Sequence, residues 1–133
     1  MAVDVAAITQ QLNSLSSGKQ KEILTLLDEL SDARSRIGAQ NEFLLFIRKM
    51  WPAFIEGSHH KVMADAFNRI ADGSLKRLII NMPPRHTKSE FASHFFPAWY
   101  LGRYPNRKVI QTAHTAELAV GFGRKVRNLV GSN

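Results

Sequence analysis

The hydrophobic period of this chain changes at Leu75, and that change limits the folds open to it. Before it, apolar residues recur every three to four positions, the spacing of one helical face. Val5, Ile8, Leu12 and Leu15 keep to such a face until Ser16-Ser17-Gly18 interrupts it. A second amphipathic stretch carries Ile23, Leu26, Leu27 and Leu30, with a break expected at Gly38. Phe43, Leu44, Phe46, Ile47 and Met50 form a denser stripe closed by Trp51-Pro52. Ser58 is a candidate N-cap for a helix that puts Met63, Phe67 and Ile70 on one face and ends at Gly73.

Beyond Leu75, short β-branched runs alternate with helical ones. Leu78-Ile79-Ile80, between Lys76-Arg77 and Pro83-Pro84, reads as a buried strand. A helix from about Ser89 carries Phe91, Ala92, Phe95 and Phe96, and Pro97 breaks or restarts it. Val109-Ile110 with Thr112-Ala113 is a second strand candidate. Thr115 caps a final helix, with Glu117 in its first turn and Leu118, Phe122, Val126 and Leu129 on its apolar face. Strand, helix, strand, helix predicts an α/β fold with parallel strands behind a helical lead. Two parallel strands do not make a stable covered sheet, so the expected sheet is incomplete.

Composition narrows the chemistry. The 133 residues make one small domain or part of a larger one, and 44% hydrophobic with 22% charged content argues against wholesale disorder. The absence of cysteine removes disulfides, thiolate metal sites and cysteine nucleophiles. No apolar run approaches the roughly 18 residues of a membrane span, and Met1–Leu15 does not read as a signal peptide. Charge is uneven: residues 1–42 hold four basic and six acidic side chains, residues 43–133 fourteen and five. The basic portion suits a polyanion such as nucleic acid or nucleotide phosphate; a solvated basic face is the alternative, and charge alone does not choose.

The segment with chemical content is Leu78-Ile-Ile-Asn-Met-Pro-Pro-Arg-His-Thr-Lys-Ser-Glu90. A strand running into a tight turn, with Lys-Ser opening a helix, is the setting of a phosphate-binding loop. There backbone N–H groups face the phosphates, Lys neutralises them and the Ser hydroxyl ligates Mg²⁺. Lys88-Ser89 fills the last two positions of G-x-x-x-x-G-K-[ST], but the glycine positions fall on Met82 and Thr87. Thr87 is β-branched and resists the positive φ that glycine allows. Pro83 and Pro84 bring no N–H, so a cradle relies on amides from Arg85 onward. Arg85 adds a permanent cation with a planar fork. The alternative is a Pro-Pro turn with solvated basic side chains and Ser89 as a plain helix cap.

This segment resembles the Walker A region of bacteriophage and prophage terminase large subunits, which commonly read Pro-Pro-Arg-His-Gly-Lys-Ser-Glu there. The likeness continues through Phe96-Pro-Ala-Trp-Tyr-Leu-Gly-Arg-Tyr-Pro105, Thr115-Ala-Glu-Leu-Ala119 and Phe122-Gly-Arg-Lys-Val-Arg-Asn-Leu-Val130. Upstream it takes in His59-His60 and Ala66-Phe67, so it covers about Phe43 to Val130. The resemblance implies an acidic helical lead, 1–42, followed by the first βαβα units of a P-loop ATPase domain, 43–133. The intact family member is an ATP-driven motor that packages double-stranded viral DNA into a procapsid, joined to a nuclease.

Residue by residue, the resemblance implies that Lys88 contacts the β- and γ-phosphates, Ser89 ligates Mg²⁺ and Arg85 acts as a transition-state finger in cis. His86 and Thr87 complete the phosphate loop, and Trp51, Phe54 and His60 are adenine-contact candidates whose alternative role is ordinary core. Arg124, Lys125 and Arg127 are candidates for DNA phosphate, or else a solvated face. Implied cofactors are ATP and Mg²⁺. Implied partners are viral DNA, the small terminase subunit, the portal protein and further copies in a homo-oligomeric ring. The implied location is the cytoplasm of a bacterial host, at the procapsid portal. After Ser89 the only carboxylates are Glu90 and Glu117, neither at the end of an apolar strand. With no Walker B acid and no nuclease carboxylate cluster, the 133 residues alone are not expected to hydrolyse ATP. His59, His94 and His114 have no metal-site spacing.

Overall fold

A computed structural model describes residues 15–131. The face expected of Val5, Ile8 and Leu12 lies outside the described residues. The chain divides into two compact units, Met1–Ile37 and Gly38–Asn133. The described part of the first unit is helix α1 (Ser17–Asn41), whose last residues belong to the second unit. Of the apolar face expected there, Ile23 is half-buried, while Leu26, Leu27 and Leu30 stay exposed, as does Leu24 beside them. The helix does not break at Gly38; it runs on to Asn41. Glycine inside a helix costs only about 1 kcal/mol, which tertiary packing can offset. A Cβ at Gly38 would sit 3.2 Å from the Leu45 side chain, so the close approach itself favours glycine there.

The second unit is built of helices α2 (Phe43–Met50), α3 (Ser58–Ala71), α4 (Phe96–Arg103) and α5 (Ala116–Val130), with a π-helical turn over Glu90–Phe95. Its centre is Phe43, fully buried, with the rings of Phe67, Phe91, Phe96 and Trp99 at 5.1, 5.5, 6.0 and 5.4 Å. Three of these pairs are edge-to-face, the arrangement that ring quadrupoles favour. Ile47, Met63 and Phe95 extend the same core. Two polar links fix its register. The Phe43 N–H, a first-turn donor with no partner in its own helix, donates to Asn68 Oδ1 at 3.0 Å. The buried Trp99 indole donates to the Ala39 carbonyl at 2.9 Å.

Pro97 does not end its helix. Residues 88–103 stay helical throughout, and the backbone widens ahead of the proline, where the Phe96 N–H bonds the Phe91 carbonyl. A π-turn relieves the clash of a proline ring with the preceding turn. The Ser93 carbonyl, which Pro97 has no N–H to reach, accepts from Gln111 Nε2 at 2.7 Å instead.

No strand or sheet occurs among the described residues, which overturns the expected α/β fold and its βαβα units. Leu78-Ile79-Ile80 and Val109-Ile110 both lie outside regular structure. Along 78–82 burial still alternates: Leu78, Ile80 and Met82 pack on the core, while Ile79 is 93% exposed. Ile110 is 89% exposed. The side chains have strand character, but a ladder needs a partner and a sheet needs more than two strands. Cap positions also shift: α3 starts after Gly57 rather than after a Ser58 cap. Its end at Gly73 (φ +84°) and the Thr115 cap on the Leu118 N–H are as expected. Truncating Phe43 to Ala should cost about 3–5 kcal/mol, read as a fall in the urea midpoint with loss of cooperativity.

Candidate phosphate-binding site

The loop between Met82 and the helix that begins at Lys88 is held from three directions. Arg85 and Thr87 both take left-handed backbone, φ 64° and 56°. Left-handed residues next to helical ones turn successive N–H groups toward a common concavity, a form that suits anions. Lys88 reaches back across the loop, its Nζ donating to the Met82 carbonyl at 3.3 Å. His86 Nδ1 lies 2.9 Å from the Pro84 carbonyl. Residues 83–90 alone line a concave space of about 420 Å³.

The third hold comes from α3. The Gly57 N–H donates to His60 Nδ1 at 2.8 Å, so in the neutral ring the proton sits on Nε2. That nitrogen is 2.6 Å from Thr87 Oγ1, and the Thr87 hydroxyl in turn donates to the His86 carbonyl at 2.7 Å. A Cβ on Gly57 would come within 2.9 Å of the His59 ring, which would then have to shift. His60 is 5% exposed, and its ring packs on Phe54 at 4.7 Å and Phe91 at 5.0 Å. Burial first, then the neighbouring His59, pushes its pKa below 6.5, against a weaker upward pull from Glu56.

Every candidate phosphate-loop residue therefore falls in one short segment: Lys88 and Thr87 half-buried, and Arg85, His86 and Ser89 exposed. Trp51, Phe54 and His60 are also gathered, with Trp51 and Phe54 rings 5.5 Å apart, and they are continuous with the core around Phe91 and Phe95. Arg124, Lys125 and Arg127 are exposed on α5, but Lys125 is engaged: its Nζ bonds Glu90 Oε1 at 2.8 Å. The other Glu90 oxygen meets His94 Nδ1 at 3.0 Å. Burial raises the Glu90 pKa, and the hydrogen bonds from Lys125 and His94 more than offset it, leaving the carboxyl below its usual range. Glu90 is thus a bridge from the loop helix to α5. Neither it nor the His60–Thr87 bond was apparent from sequence. The one available signal was a β-branched residue at a position that calls for glycine, which needs outside support.

Ser89 is exposed, next to Lys88 at the start of the helix, and its hydroxyl is of the type that can ligate an oxygen-seeking Mg²⁺ carried in by phosphates. Glu90, held by two partners, is not free to join it. Among the described residues no group of three or more His, Asp or Glu could hold a metal by itself, and no helix is long and apolar enough to cross a membrane. Comparison with protein-family models, curated proteins and solved structures finds no match to this chain.

Because the Gly57 bond requires an unprotonated Nδ1, His60 works as a neutral ring. The groups around it are His59, Glu56 and, beyond His59, His86. Its folded pKa is depressed, so its contribution is complete above about pH 6.5 and is lost as pH falls below that. The gap between wild-type and His60→Gln urea midpoints should be widest near pH 8 and narrow by pH 5.

Proposed function

We propose that this chain is the nucleotide-binding front part of a viral DNA-packaging terminase large subunit, with residues 85–89 as its triphosphate loop. The observation that carries the proposal is the form of that loop. Residues 83–90 enclose a concavity, and Lys88 is drawn across it by nothing stronger than a single backbone carbonyl at 3.3 Å. An arriving phosphate offers that ammonium charge-assisted bonds, roughly twice as strong as neutral ones. Arg85, exposed on left-handed backbone, adds a fork suited to phosphate oxygens. Ser89 supplies the protein's oxygen to Mg²⁺, and phosphate and water supply the rest. Phosphate binding asks only for the loop and the helix after it, and no sheet enters the argument.

In the intact subunit this site would power translocation of double-stranded DNA, with the small terminase subunit, the portal and sister copies as partners at the procapsid in the bacterial cytoplasm. Arg85 would stabilise the charge on the transferred phosphoryl group. A second reading, a non-catalytic DNA-binding module, draws on the exposed guanidinium groups of Arg124 and Arg127 on α5.

A titration with ATP and Mg²⁺ separates the two. Saturable binding that Lys88→Ala weakens by tenfold or more, on the order of the 1.5–3 kcal/mol of a bond to a charged group, supports the triphosphate loop. DNA binding that is steeply salt-dependent and indifferent to Lys88→Ala supports the module instead. No turnover of ATP is expected from these 133 residues in either case.

A further inference from the structure

The loop holds a β-branched residue in a backbone conformation that β-branched residues avoid. Thr87 sits at φ 56°, where Cβ crowds the backbone and where glycine is at ease. Such a conformation persists only where surrounding structure over-determines it. The bonds that do so are on its own side chain. Thr87 Oγ1 accepts from His60 Nε2 at 2.6 Å and donates to the His86 carbonyl at 2.7 Å, which fixes the hydroxyl and through it the residue. His60 is a firm anchor. It is buried, wedged between Phe54 and Phe91, and its other nitrogen is tied to the Gly57 N–H.

We infer that His60 is a positioning residue for the phosphate loop: it supplies through a hydrogen bond the left-handed turn that a glycine at position 87 would supply through lack of a Cβ. It touches no phosphate. It acts through Thr87, which sets the direction of the backbone leading into Lys88 and Ser89. The effect on nucleotide rests on the triphosphate-loop reading; the effect on loop geometry does not.

The test uses wild type, Thr87→Val, Thr87→Gly, His60→Gln and the double variant His60→Gln with Thr87→Gly. One readout is the rate of tryptic cleavage after Arg85, followed by mass spectrometry, which reports loop order without nucleotide. The other is the dissociation constant of ATP with Mg²⁺. Thr87→Val keeps the shape of the residue and removes the hydroxyl, so it should raise cleavage about fivefold, the worth of one hydrogen bond, and weaken ATP by a similar factor. His60→Gln should do the same in the presence of Thr87, yet change cleavage less than about twofold when added to Thr87→Gly, because glycine needs no anchor. Thr87→Val leaves the aromatic core untouched and decides the matter if the His60 variants do not fold. Equal His60→Gln effects with and without Thr87→Gly, or an unchanged loop in Thr87→Val, overturn the inference. If the cleavage pattern appears but no protein binds ATP, His60 still positions the loop and only the triphosphate reading falls.

Discussion

Phe43 is the side chain on which the second unit turns. It enters from α2 and meets rings from α3 and from the continuous helix of the π-turn and α4, so two separate stretches of chain are packed against one residue with no exposed surface. With no sheet among the described residues, no backbone ladder joins distant segments, and the joining falls to side chains. Aromatic rings suit that task because each buries a large area and pairs with preferred geometry. Directional bonds then set the register: Asn68 on the Phe43 N–H, and the Trp99 indole on Ala39. Burial supplies most of the driving force, and the hydrogen bonds select which of many possible packings is adopted.

Phe91 is one of the rings that join the candidate site to this core. Phe91 touches Phe43 on one side and His60 on the other, and His60 reaches Thr87. A path of direct contacts therefore leads from a fully buried residue to the loop. On the far side of the loop helix, Glu90 binds both His94 and Lys125, and Gln111 binds Ser93 where the proline has left a carbonyl without its helical donor. The loop is thus clamped between α3 and α5. Clamping of this kind is what a loop of non-glycine residues at positive φ requires.

The helices were legible in sequence because amphipathic period survives without knowledge of the partner. In the stripes Phe43–Met50 and Met63–Ile70, Phe43, Leu44, Ile47, Met63 and Phe67 are buried, and Phe46, Met50 and Ile70 are half-buried against the core. The strands were misread because β-branched content and alternation describe a side chain's preference, whereas a strand exists only in a pair. Leu78, Ile80 and Met82 do alternate inward, so the period was real and the ladder was not. The leucines of α1 show the converse: helical spacing was right, burial was not. At the loop, residue types and spacing single out Arg85 to Ser89 as a candidate site, and the structure lines one concave space with residues 83–90. The hold of His60 on Thr87 could not, because it joins positions 27 residues apart through a tautomer that another backbone group decides.

Lys88 steadies the loop by a single bond of its own. Its ammonium is half-buried and bonded to the Met82 carbonyl, which saves a charged group from an unpartnered position among packed residues. The bond is long and its acceptor is neutral, so it is among the weaker ones an ammonium can make. On the triphosphate reading, a phosphate entering the concavity would exchange that bond for charge-assisted ones and free a carbonyl on a segment whose neighbours, Asn81 and Pro83, are in solvent. The freed carbonyl would turn to water at little cost, while the lysine would gain a stronger partner. On the triphosphate reading, the 82–88 bond is therefore a place-holder. On that reading, its weakness on one side and its shelter on the other would let the same lysine steady the loop and release itself to a ligand.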